Sequence, residues 1–203
     1  EGVGVDWPIR YADLAPWYDH VERWMGVSGS KEGLPQLPDG IFQPPMDFNV
    51  VEKSLKAKVE GRFPERRITI GRTAHLTKPT EEQLKLGRGT CQSRNLCMRG
   101  CAFGAYFSSN GATLIAADHT GNMALQPDSI VTEIIFDAKL NKATGVRVQN
   151  ANTKTTTEYY AKVIFLCAST LNSAWLMMHS KSDRFPNGFG NDSDELGRNV
   201  MDH

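Results

Sequence analysis

Three of the four cysteines, Cys91, Cys97 and Cys101, stand in a Cys-x5-Cys-x3-Cys pattern. Thiolates in such a group are candidate metal ligands, but a structural zinc site pairs its ligands at about Cys-x2-Cys spacing and needs a fourth donor. His75 or His119 could supply one, yet no second pair is present. The expected reading is therefore buried or incidental thiols and no metal, with a Cys97–Cys101 disulfide open only in an oxidising compartment. The five histidines (20, 75, 119, 179 and 203) are scattered, and none falls in a nucleophile or zinc pattern. His20 is expected on a solvated helix face. Neither the GxGxxG nor the Walker form of phosphate loop is present. Gly100-Cys-Ala-Phe-Gly-Ala105 packs small residues together without a preceding strand, which by itself describes a tight turn.

The elements that must position these groups follow from periodicity. Residues 13–26 read as an amphipathic helix, with Leu14, Trp17, Tyr18, Val21, Trp24 and Met25 on one face. Asp13 is the expected N-cap, Pro16 belongs in a first turn, and Gly26 ends the helix. The Gly- and Pro-rich stretch from Gly29 to Pro45 reads as a loop or linker. A second helix is expected to carry Phe48, Val51, Leu55 and Val59 on one face and stop at Gly61. Arg67–Thr73 reads as a strand, and 87–112 has no periodicity. Strands are expected at Asn122–Gln126, Ile130–Asp137, Gly145–Gln149 and Thr155–Tyr160, a strand leading into an antiparallel meander. Lys162–Cys167, apolar without alternation, reads as a fully buried strand leading into a helix from Thr170 to about Ser180.

Composition bounds the function. Lys+Arg and Asp+Glu are 23 each, so the formal charge is zero, without the basic surplus that a nucleic-acid binder needs. The longest apolar run, Val163–Ala168, is far too short for a membrane span. With 40% apolar residues, 23% charged and only 4 Cys, a soluble core-forming chain is expected rather than a disordered or disulfide-stapled one. The chain opens at Glu1 without Met or a signal-like segment and closes on Met201-Asp202-His203. We expect an excised stretch of a longer polypeptide, whose compartment the sequence leaves open.

Five segments, in order, carry a resemblance. Asp6-Trp-Pro-Ile-Arg-Tyr-Ala-Asp-Leu-Ala-Pro-Trp-Tyr-Asp19 with Gly26-Val-Ser-Gly29 resembles the "WPI-Y-DL-PYY" and "GV-G" segment of the glucose-methanol-choline (GMC) flavoprotein oxidoreductases. Leu96-Cys-Met-Arg-Gly-Cys-Ala-Phe-Gly-Ala105 is similar to the "C-GC--GA" segment of their sugar and sugar-acid dehydrogenase branches. Asn122–Val131, followed by Ala143-Thr-Gly-Val146, resembles the "N-----A-V" strand pair. Val163–Ser169 stands where that family has "VILSAGA", with Asn172-Ser173 near the following helix start, and Leu196–His203 is similar to "VGRNLMDH".

The resemblance implies an α+β fold: part of a GMC-type FAD-binding domain, made of the meander plus a buried strand and helix, with part of the substrate domain. Residues 1–110 would belong to the substrate or cap region and 111–203 to the FAD-binding domain. It implies FAD as cofactor, with Val131 binding adenine through its main chain. Ala168 and Ser169 would lie in a loop near the cofactor, with Ala168 in place of the family's glycine. Phe103 and Tyr106 lie in a segment that in related enzymes borders the substrate channel, while core or loop packing is the expected role of both. In that family a His base removes a hydroxyl proton while hydride passes to flavin N5. That His lies beyond His203, so no catalytic residue is assigned and His203 belongs to the "DH" motif.

The implied reaction is oxidation of an alcohol group of a sugar or polyol, in a bacterial sugar dehydrogenase. The phosphate-binding and catalytic segments, partners from the same polypeptide, would lie outside these residues, and the stretch alone would be inactive and self-associate. A non-catalytic α+β interaction module of GMC ancestry, and a family member of other chemistry such as a sterol oxidase or lyase, remain open.

Overall fold

A computed structural model of the chain describes residues 6–200. Met201, Asp202 and His203, the end of the last motif, lie outside the described residues. The protein is mixed α+β and divides into two compact units, one up to Ala124 and one from Leu125.

The first unit is built from short helices and ordered loops. Helix α1 spans Tyr11–Met25 and starts earlier than expected. Arg10, not Asp13, is the N-cap, because the Asp13 carboxylate sits at N3 and accepts the Arg10 N–H at 2.8 Å. Pro16 consequently lies inside the helix rather than in its first turn. Gly26 ends it at φ 75°, donating its N–H to Glu22 O. A Cβ at Gly26 would come within 2.0 Å of Leu76 Cδ2, so both the turn and the approach require glycine. Helix α2, Val50–Arg62, is opened by an Asn49 capping box with Glu52 and runs through Gly61, the expected stop.

Arg67–Thr73 is not a strand. Only Thr73 pairs, in a single antiparallel bridge to Ser28, because no further ladder partner lies beside the segment. Helix α3, Glu81–Lys85, follows a Thr80 cap. A 3-10 turn at Cys97–Arg99, a π-helical turn at Ser109–Thr113 and helix α4, Leu114–Asp118, organise the stretch without periodicity. The core of this unit gathers Leu76, Leu86, Ala105 and Ala112. The buried Gln83 amide ties it together, accepting from Thr80 N and Gln43 Nε2 and donating to Arg23 O.

The second unit centres on an antiparallel sheet ordered β1 (Ser129–Asp137), β2 (Lys142–Asn150), β3 (Thr156–Tyr160). Helix α5, Thr170–His179, packs on it. Ile134, Val148 and Leu176 are buried, and Phe136, Phe185 and Phe189 form an aromatic trio with centroids 5.0–6.1 Å apart. Ser180, at the end of α5, joins helix to sheet: its hydroxyl donates to Leu176 O at 2.7 Å and accepts the Ile134 N–H at 2.8 Å.

Two further expected strands are absent. Asn122–Gln126 is irregular, its start held in a turn by Thr120 and its end followed by Pro127. Lys162–Cys167 is neither a strand nor buried: Val163 is 66% and Phe165 84% exposed. A strand apolar on both faces needs neighbours that cover both, and the described sheet offers none beyond β3.

Candidate functional site

Val131 lies on β1 opposite Val148 and is half-buried. The direction of its main-chain groups follows from the alternation of antiparallel pairs. Asn150 N donates to Thr155 O and Ala161 N to Thr144 O, so the even-numbered residues of β2 face β3. Ala151 N donates to Asp128 O, so the odd-numbered ones face β1. Val148 therefore turns toward β3, and Val131 directs its own N–H and C=O away from β2, to the open edge of the sheet. Ile134, beyond the bulge after Val131, has the same orientation, and its N–H is the one that Ser180 caps. An adenine ring read by main-chain hydrogen bonds needs such an unpaired edge, and Val131 fits that requirement.

Ala168 and Ser169 are exposed and precede α5. The resemblance had put the glycine position at Ala168. The residue with a glycine-type backbone is instead Ser169, at φ 69° and ψ 167°. It occupies the N-cap position of α5, and its side chain caps none of the first N–H groups. The structure records no hydrogen bond between Ser169 and Val131; the two are placed at the starts of elements that pack together farther along.

Phe103 and Tyr106 belong to the first unit. Phe103 is 41% exposed, with the Arg94 guanidinium 5.7 Å from its ring centroid. Tyr106 forms a bridge with His75, meets its ring edge-on at 5.3 Å, and donates its hydroxyl to Met98 Sδ. All four cysteines are free thiols. Cys91, Cys97 and Cys101 line one cavity of about 130 Å³. The Tyr106 N–H foremost, then those of Phe103, Ala105 and Gly104, hold the Cys101 thiol below its ordinary pKa, while burial opposes them. Among the described residues no three His, Cys, Asp or Glu side chains converge on one metal position. That the three cysteines share a cavity was not foreseen; their common segment was the available signal.

His20 is exposed on α1, as its place on the polar face implied. His179 donates its Nδ1–H to Trp175 O at 2.8 Å and stacks on the Trp175 ring. Among the described residues no helix is long and apolar enough to cross a membrane.

Known proteins extend this picture. The chain is 29% identical over its full length to the fructose dehydrogenase large subunit of Gluconobacter japonicus, covering 36% of that protein. It is 29% identical over 98% of its length to paromamine 6'-oxidase of Streptomyces fradiae, covering 35%. Against 2-methyl-1,2-propanediol dehydrogenase of Mycolicibacterium austroafricanum the identity is 26%, over 98% of the chain and 35% of the relative. The chain thus spans about a third of the length of these relatives. The sequence pattern of the GMC oxidoreductases matches residues 4–203, and the chain belongs to that family.

Proposed function

We propose that the protein supplies the central part of an FAD-dependent oxidoreductase that oxidises a CH–OH group of a sugar or polyol. The observation that carries this reading is the family match across residues 4–203, with relatives named for fructose, paromamine and 2-methyl-1,2-propanediol. The alcohol group is what those names share, and the carbon skeletons differ.

In this reading residues 111–203 form part of the FAD-binding domain and residues 1–110 reach into the substrate domain. Val131 holds adenine through its edge N–H and C=O. Ala168 and Ser169 bring the start of α5 to the cofactor, where open N–H groups favour a negatively charged oxygen. Bound flavin supplies the redox chemistry, taking up hydride from the carbinol carbon. Phe103 and Tyr106 border the substrate channel, offering it an apolar ring and a tethered one. The base that takes the hydroxyl proton, and the phosphate loop, come from segments of the same polypeptide outside these residues. The 203-residue chain alone is accordingly inactive.

A visible absorption spectrum tests the cofactor assignment. FAD is added to the purified chain, excess is removed, and the spectrum is read. No retained flavin is expected from this chain, whereas a polypeptide extended to the length of the relatives should keep it and be bleached anaerobically by a sugar or polyol. Flavin held tightly by the 203 residues alone would overturn the division of the cofactor site described above. An extended polypeptide that keeps no flavin, or whose flavin no alcohol reduces, would overturn the functional reading itself.

A further inference from the structure

Val131 and Ile134, one on each side of the bulge, are consecutive residues of β1 whose N–H groups turn away from β2. The bulge inserts Thr132 between them, and the Thr132 hydroxyl donates to Arg147 O at 3.2 Å, pinning the extra residue to β2. The two N–H groups are therefore neighbouring donors along the outer edge of the sheet. Their surroundings differ. Ile134 is buried, and its N–H donates to the Ser180 hydroxyl at 2.8 Å. The Val131 N–H, three residues earlier on the same edge, has no such cap.

Ser180 is oriented for this one bond. It is 3% exposed and follows the last residue of α5. Its hydroxyl hydrogen goes to Leu176 O at 2.7 Å, so the oxygen lone pairs are free to accept the Ile134 N–H. Its main-chain N–H also donates to Leu176 O, at 3.0 Å, and the helix end thus meets the strand edge at a fixed point. Without the hydroxyl, the buried Ile134 N–H would have no partner. Helix α5 would still be held, because the Phe189 N–H grips its last turn from the following loop, donating to Met177 O at 2.8 Å.

We infer that Ser180 is a positioning residue for the adenine end of FAD: by taking the Ile134 N–H it closes the edge of β1 on one side of Val131. A planar ring then meets the donor and acceptor of one residue instead of a row of alternatives, and the end of α5 fixes the run of the edge beside it. Adenine presents an acceptor at N1 and a donor at N6, the complement of one N–H and one C=O. Hypoxanthine presents a donor at N1 and an acceptor at O6, and does not match. The inference rests on the reading of Val131 as the adenine contact and adds the residue that bounds that contact.

Two measurements test it. On the 203-residue chain, amide hydrogen exchange is read residue by residue by mass spectrometry. The Ile134 amide should exchange slowly and the Val131 amide fast, and Ser180→Ala should raise the Ile134 rate by roughly tenfold or more while Val131 keeps its own. An Ile134 amide as fast as that of Val131 in the unsubstituted chain, or one that Ser180→Ala leaves unchanged, overturns the proposal. On apoprotein extended to the length of the relatives, FAD is compared with flavin hypoxanthine dinucleotide, which has the same flavin and pyrophosphate but the reversed ring edge. Ser180→Ala should weaken FAD by about tenfold, the size of one hydrogen bond, and the hypoxanthine analogue by less than about twofold. A serine that served stability alone would weaken both dinucleotides alike, so equal losses, or no loss of FAD, overturn the proposal. If Ser180→Ala loses its native circular dichroism, Ser180→Cys, similar in size and a poor acceptor, decides by the same ratio. Equal binding of the two dinucleotides by the unsubstituted polypeptide overturns the Val131 reading and this inference together. Unequal binding there, with equal losses in the variant, overturns this inference alone.

Discussion

Ser169 holds φ 69° and ψ 167°, a region that costs a residue with a Cβ on the order of 1–3 kcal/mol. Nothing local repays this, since its hydroxyl caps no N–H of α5. We expect Ser169→Gly to stabilise the second unit by roughly 1 kcal/mol, moving its calorimetric transition upward by several degrees. An unchanged or lower midpoint would mean that the hydroxyl makes a contribution as large as the strain. The same residue marks how far the site could be read from sequence. A glycine-bearing loop was legible from the order of residues around it, but Ala168 and Ser169 both lack the signature glycine. Residue types could not say which one takes its conformation. Val131 was identified by resemblance alone; that its main-chain groups face the sheet edge depends on a ladder register that no residue type encodes. Ser180 carried no signal as a partner of β1, because in the sequence it reads only as the end of a helix.

Elements whose partners are close in the chain were legible, and those that depend on distant partners were not. The three strands of the meander form within three residues of their expected limits, each joined to the next by a short reversal. Helices α1, α2 and α5 likewise form where periodicity put them, with ends shifted by capping. Arg67–Thr73 and Lys162–Cys167 have strand-like composition but no ladder, since composition states a preference for a pleated surface and cannot supply the neighbouring strand. Gly61 shows the converse. It reads as a stop by residue type, yet Asn49 and Glu52 open α2 so firmly at the other end that the helix continues through it. A Cβ at Gly61 would meet nothing within 4 Å. Gly61→Ala is therefore expected to stabilise the first unit by about 0.5–1 kcal/mol, seen as a higher urea midpoint at unchanged slope. A lower midpoint would show that Gly61 has a role outside the helix geometry.

At the scale of the whole chain the surface is out of proportion to the length. The protein exposes 15401 Å². Even two separate compact bodies of half this length would together expose only roughly 11,000 Å². Much of the excess is apolar. In the first unit Trp17, Tyr18, Val21, Val51 and Leu55, the faces expected to pack, are between 47% and 76% exposed, and α1 and α2 bury no residue. In the second, Val163, Phe165, Leu171 and Trp175 are exposed in succession. Apolar surface of this extent is driven to cover itself. The protein is accordingly expected to self-associate, with an average mass by light scattering that rises with concentration and a broad, low-temperature melt. Charged substitutions at Phe165 and Val163 should shift that mass toward the monomer, because they remove apolar area while leaving α5 and the sheet intact. A concentration-independent monomer with a sharp, high melting transition would refute this. The exposed faces would then be tolerated by the folded units, and the need for further polypeptide to cover them would disappear.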